Sequence, residues 1–136
     1  SFNPESLKRR KFPVRRKPEM VQDKLYDLSG LRRDDPSNPV FLKKMLTIFI
    51  DTIPGIVETM WNHYESGEME AVCTLAHKIK PTLDGAGIFV LRDVIRNIEG
   101  YRDKRRTSDQ LSEDLMKLKQ VIGEVVIGFR EEIKGL

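Results

Sequence analysis

Residues 109–134 read DQLSEDLMKLKQVIGEVVIGFREEIK. The apolar residues Leu111, Leu115, Leu118, Ile122, Val125, Phe129 and Ile133 recur at steps of four and three. That is the spacing of one face of an α-helix, and it predicts a helix of about six turns with a single apolar stripe. Ser108 stands at the position of an N-cap. One stripe on one long helix has to be covered by other elements, so the fold depends on what lies upstream.

Upstream the same period returns three times. Asn38 followed by Pro39 fits an N-cap and first-turn pair. It opens a predicted helix over 39–65 with Phe41, Met45, Ile48, Phe49, Thr52, Ile53, Ile56, Met60 and Tyr64 on its core side. Pro54 inside it should remove one backbone hydrogen bond and bend it. Ser66 and Gly67 end it. A second helix is predicted over 68–84, with Val72, Leu75, Ala76, Ile79 and Leu83 inward, and residues 84–87 (DGAG) loosening or ending it. A third runs over 88–105, with Leu91, Ile95 and Ile98 inward and Val94 and Tyr101 on its flank. Lys104, Arg105 and Arg106 suit its C-terminus. A short helix over 21–30, stopping near Gly30, precedes them all. No strand-like alternation and no internal repeat is present. Four helices joined by short turns predict an all-α, up-down-up-down four-helix bundle with a short extra N-terminal helix.

The chain has 136 residues, 39% hydrophobic, 33% charged and 7% aromatic. That is enough for one domain with an aliphatic core. Its single cysteine, Cys73, excludes a disulfide framework or a thiolate zinc site within one chain, and two histidines make a multi-histidine metal centre a poor prospect. No metal site is therefore expected. No apolar run reaches the length of a membrane span, and no basic region followed by an apolar one opens the chain. The expected setting is the cytoplasm, with no membrane contact by this domain. The net charge of +3 divides unevenly. Residues 1–20 carry seven Lys/Arg against two Glu, while residues 21–136 carry 17 against 19 Asp/Glu. Residues 1–20, with Pro4, Pro13 and Pro18, read as a basic linker or tail, and residues 21–136 as the bundle. The run over 8–17 leaves a nucleic-acid patch as an alternative, though it carries no known binding motif, and no nucleic acid is expected.

The candidate chemistry lies at His77. With about 100° per residue and Val72 at zero, the apolar residues of the 68–84 helix fall within roughly 60° of zero. His77 falls at about 140°, and Cys73, Lys80 and Asp84 at about 100°, 80° and 120°. These four form a second stripe beside the core, facing largely outward. Lys80 is three residues from His77 and so its neighbour, while Lys78 points elsewhere. Imidazole has an ordinary pKa of about 6.5, so near neutrality much of it is uncharged and nucleophilic. A phosphoryl group on it would add strong acceptor oxygens, for which a nearby ammonium is a charge-assisted donor. The plainer readings stand beside this one: a solvent-side histidine is most often an ordinary surface residue, Cys73 a small buried hydrophobe, and Asp84 a helix-end residue. His63, which lacks a comparable setting, reads as structural or surface.

The run over 75–80 (LAHKIK), with Gly87 ten residues after the histidine and Ile98-Glu99 closing the next helix, resembles the histidine-containing phosphotransfer (HPt) domain. That family's pattern is Ala-His-x-Leu-Lys-Gly, then a glycine, then a leucine-rich helix ending in Leu-Glu. Phe41, Phe49, Pro54 and residues 68–71 (EMEA) are also similar to it, and the resemblance covers about residues 25–134. It implies a phosphorelay intermediate of two-component signalling. His77 would accept a phosphoryl group on Nε2 from a receiver-domain aspartate and pass it to another receiver. Lys80 would stabilise the phosphoryl group, and Gly87, on the adjoining helix, would leave room for packing and for the partner. Gly87, Pro81, Asp84 and Cys73 would belong to the docking face. Pro81 departs from the pattern, which has glycine there; it lacks the N–H that would reach the His77 carbonyl and could kink the helix.

No cofactor is expected in the domain itself, with Mg2+ expected on the partner receiver. The domain alone would have no kinase activity. Residues 2–7 (FNPESL) resemble the tail of a receiver domain, where Lys-Pro-Phe-x-Pro-x-x-Leu opens the last helix, although the Lys-Pro part is absent. This implies a C-terminal domain of a hybrid sensor histidine kinase, whose parent chain could be membrane-anchored. The partners would be receivers of response regulators or of that parent kinase. The alternative from another class is a non-catalytic helical interaction module with His77 inert.

Overall fold

A computed structural model describes residues 25–32, 39–103 and 106–136. They form helices α1 (Ser29–Arg32), α2 (Pro39–Glu65), α3 (Met69–Gly85), α4 (Arg92–Gly100) and α5 (Ser108–Lys134). Single 3₁₀ turns, Phe89–Leu91 and Tyr101–Asp103, flank α4. No strand occurs among the described residues. The four longer helices pack in a ring, α2 on α3, α3 on α4, α4 on α5 and α5 on α2. Tyr64 at the end of α2 donates to the Ser108 carbonyl at the start of α5 (3.2 Å), so these two run antiparallel. The arrangement is the expected up-down-up-down bundle.

Two glycines set the bundle's short turns. After α2, Gly67 adopts φ +78°. The Glu68 N–H donates to the His63 carbonyl (2.8 Å) and the Gly67 N–H to that of Tyr64 (3.0 Å), the two bonds of a Schellman stop. After α3, Gly87 (φ +70°) repeats it, with Ile88 N–H to Leu83 O and Gly87 N–H to Asp84 O, both 3.0 Å. A β-carbon on Gly87 would also fall onto the Asp27 backbone. That position tolerates only glycine, for its dihedral and for the close approach.

The core is a stack of aliphatics closed by Phe49 against Phe129, edge to face at 4.9 Å. All the α5 positions expected inward are buried except Ile133, which is half-buried. In α2 the stripe is rotated from the expected one. Leu42, Leu46, Phe49, Ile53, Val57 and Met60 are buried, whereas Phe41 is 47% and Ile48 45% exposed. This helix carries apolar residues on more than one face, so the period permits both stripes and packing selects one. Pro54 lies inside α2, which continues to Glu65.

Other boundaries differ for local reasons. Of the expected 21–30 helix, residues 25–28 are not helical and the described helix is Ser29–Arg32, with Gly30 inside it; residues 21–24 lie outside the described residues. Residues 25–28 form a strap across the end of the bundle instead. Asp27 N–H donates to the Ala86 carbonyl (3.3 Å), and Tyr26 packs edge to face on Phe129 at 4.8 Å and donates to Glu132 at 2.9 Å. The α4 helix is shorter than expected, ending in 3₁₀ turns on both sides; Lys104 and Arg105 lie outside the described residues, as do Asn38 and the basic segment 1–20. Thr107 rather than Ser108 caps α5. Its hydroxyl accepts from Gln110 N–H (3.1 Å), and the Gln110 side chain accepts from Thr107 N–H (2.9 Å). This capping box needs its partner three residues on, which fixes Thr107 as the cap. Among the described residues no helix is long and apolar enough to cross a membrane.

Candidate functional site

Helices α3 and α4 run antiparallel, and a line of polar contacts follows their seam. Arg102 reaches Glu70 (3.0 Å) and Thr74 (3.1 Å) at one end. Asp84 meets Arg92 (3.3 Å) at the other, with the Arg92 guanidinium 4.2 Å over the Phe89 ring. His77 and Glu99 face each other in between.

The inward face of α3 is held by Val72, Ala76, Ile79 and Leu83, which leaves His77 on the outer edge of the seam. Its side chain is 75% exposed. Its Nδ1 lies 2.7 Å from Glu99 Oε2. An ionised carboxylate offers only lone pairs, so the nitrogen carries the proton in this bond. In the neutral ring the other nitrogen, Nε2, then holds the free lone pair. Among the described residues no hydrogen bond engages Nε2. Glu99 is 24% exposed, more enclosed than the histidine it holds. Its second oxygen, Oε1, lies 3.8 Å from Lys80 Nζ. One carboxylate from α4 therefore contacts both the imidazole and the ammonium of α3.

The remaining predicted residues fall differently. Cys73 is not on the outward stripe. It is 1% exposed and donates its thiol proton to the Ile98 carbonyl at 3.4 Å. Helix α3 packs on both α2 and α4, so its buried arc is wider than the apolar stripe alone and takes in Cys73. Burial pushes this thiol above its ordinary pKa. Val94, expected on a flank, is buried for the same reason, since α4 packs on both α3 and α5. Gly87 is not on the adjoining helix but in the turn after α3, buried beneath the strap residue Asp27, where it leaves no room for a partner. Asp84 is half-buried and committed to Arg92. Pro81 is exposed, and α3 continues past it to Gly85.

Glu99 has no role that sequence reasoning alone assigns, although it closes the Ile98-Glu99 pair. Its link to His77 depends on the register between two antiparallel helices. His63 offers a comparison within the same chain. Its Nδ1 is also 2.7 Å from a carboxylate, Glu68 Oε1, but its side chain is only 33% exposed. Among the described residues no three His, Cys, Asp or Glu side chains converge as metal ligands.

No protein-family model, curated protein or solved structure matches this chain.

Proposed function

We propose that this chain is a histidine phosphotransfer domain, with His77 as the phosphoacceptor of a two-component relay. The observation that supports it most is the His77–Glu99 pair: an exposed ring whose Nδ1 is tied 2.7 Å from a carboxylate. A base that must attack an incoming phosphoryl group needs an accessible lone pair of defined direction. Nε2 is that atom here. In the reaction, Nε2 attacks phosphorus of a receiver's aspartyl phosphate. The P–O bond breaks, the aspartate carboxylate leaves with the bonding pair, and the Nδ1 proton stays against Glu99. The reverse reaction onto a second receiver regenerates the ring. Mg2+ and the reactive aspartate would come from the receiver, where the metal would neutralise charge on the phosphoryl oxygens. Lys80 supplies one cation beside the ring.

On this reading the domain is a carrier with no kinase activity, working in the cytoplasm. The likeness of residues 2–7 to a receiver tail supports placing it after a receiver in a hybrid kinase, with the basic segment as connector. The test is incubation with a phosphorylated receiver. The chain should take up acid-labile, alkali-stable label, and His77→Gln should take up none. Equal labelling of His77→Gln, or no labelling of the wild type, refutes the proposal and leaves an interaction module.

A further inference from the structure

The shared carboxylate has a consequence for Lys80. Glu99 holds the imidazole closely through Oε2 at 2.7 Å and Lys80 loosely through Oε1 at 3.8 Å. The second distance is an ion pair without a hydrogen bond. The Lys80 side chain is 47% exposed, so water competes for the ammonium and the pair is weak. We propose that Glu99 is a positioning residue that parks Lys80 across the α3–α4 seam in the unmodified protein, and that phosphorylation of His77 hands Lys80 from Glu99 to the phosphoryl oxygens.

Three physical points carry this. A phosphoryl group brings close to two negative charges and three acceptor oxygens, against one carboxylate charge already engaged by the imidazole. Lys80 is three residues from His77 on one helix, so its ammonium can change partner by side-chain rotation with no backbone movement. An imidazole carrying both the Nε2–P bond and the Nδ1 proton is a cation, and it needs the Glu99 charge more once formed. Departure of Lys80 leaves that charge wholly to the ring. The seam then differs between the two states: α3 and α4 are bridged by Lys80–Glu99 before phosphorylation and not after. A receiver docking there meets a different arrangement of charge in each state.

The inference rests on His77 carrying the phosphoryl group, but its test needs no receiver. Potassium phosphoramidate can phosphorylate an accessible ring directly. Nε2 attacks phosphorus, the P–N bond breaks, and ammonia leaves with the bonding pair. The 136-residue chain and its Glu99→Gln variant would be followed by NMR of the lysine Cε and Nζ resonances before and after reaction. Before reaction, Glu99→Gln should shift the Lys80 resonances. After reaction, the wild-type Lys80 resonances should move and the difference between the two proteins should largely vanish, with Lys78 unmoved as an internal reference. Lys80 resonances indifferent to Glu99→Gln before reaction would show that Glu99 never held it. A difference that persists undiminished after reaction would show that no hand-over occurs. A His77 ring that resists the donor contradicts the accessible Nε2 and overturns the inference as well. A hand-over seen with phosphoramidate, alongside a receiver that transfers nothing, would overturn only the relay.

Discussion

At the scale of single residues, the account depends on Glu99 more than on any residue besides His77. Loss of a hydrogen bond to a charged group costs about 1.5–3 kcal/mol, or about ten- to a hundredfold in rate at about 1.4 kcal/mol per tenfold. His77 is largely solvent-exposed, which discounts the effect to the lower end. Glu99→Ala should therefore slow phosphoryl uptake about tenfold, while Glu99→Gln, whose amide oxygen still accepts from Nδ1–H, should slow it less. Initial rates of label transfer from a phosphorylated receiver measure both. The thermal midpoint should move little in Glu99→Gln, which keeps the size of this half-buried side chain and an acceptor oxygen for Nδ1–H. Cys73 supplies the converse case. Its thiol is buried and pushed above its ordinary pKa, so little thiolate is available to react. The native protein should resist a thiol-specific disulfide reagent that labels it promptly in urea; rapid labelling of the folded protein would contradict the burial. Lys80 could be placed beside His77 from sequence because both lie on one helix, three residues apart. Glu99 could not, because its contact crosses between helices and no periodicity within α3 encodes the register of α4.

At the scale of elements, the turn after α3 holds the helix bearing the site. Gly87 combines φ +70° with close contact to the Asp27 backbone, whereas Gly85, two residues earlier and helical, has open space where a β-carbon would go. A left-handed dihedral costs a non-glycine residue about 1–2 kcal/mol, and the clash adds to it. Gly87→Ala should destabilise by more than about 2 kcal/mol, and Gly85→Ala should stabilise by up to about 1 kcal/mol. Urea unfolding of the two variants separates them; equal effects would contradict the turn geometry. The helices themselves were largely legible. The α5 stripe follows from periodicity, and the α2 bounds from Pro39 at its start and the glycine-bearing stop at its end. What periodicity does not supply is which of two apolar stripes on α2 packs inward, or how wide an arc is buried on a helix with neighbours on both sides. For those reasons Leu46 and Val57 lie off the expected stripe, and Cys73 follows its plainer reading as a buried hydrophobe and not the outward one. Gly87 stands out in the sequence by its spacing from His77, but the strap that needs it is a tertiary feature.

At the scale of the whole molecule, the strap joins the turn after α3 to the C-terminal half of α5. Tyr26 lies over Gly128, where a β-carbon would stand 2.8 Å from the ring, and reaches Glu132. Asp27 anchors the strap's bend, its carboxylate accepting from the Ser29 N–H at 3.0 Å. That bond holds its pKa below the ordinary carboxylate value. A carboxyl depressed in the folded state contributes stability above its unfolded pKa, and loses it as pH falls through the folded one. The wild type should therefore lose some thermal stability on acidification below the ordinary aspartate range. Asp27→Asn should lose less over the same interval, which melts at a series of pH values would show. Identical acid dependence in the two would contradict the assigned role of Asp27.

The bundle is a platform, and the same architecture carries many functions; the relay reading rests on one exposed, oriented imidazole. The most direct measurement is therefore the position of the phosphoryl group. After incubation with a phosphorylated receiver at neutral pH, fragmentation mass spectrometry under non-acidic conditions should place the modification on His77. Modification of His63 instead, or an unmodified chain beside a receiver that has kept its phosphate, would contradict the account.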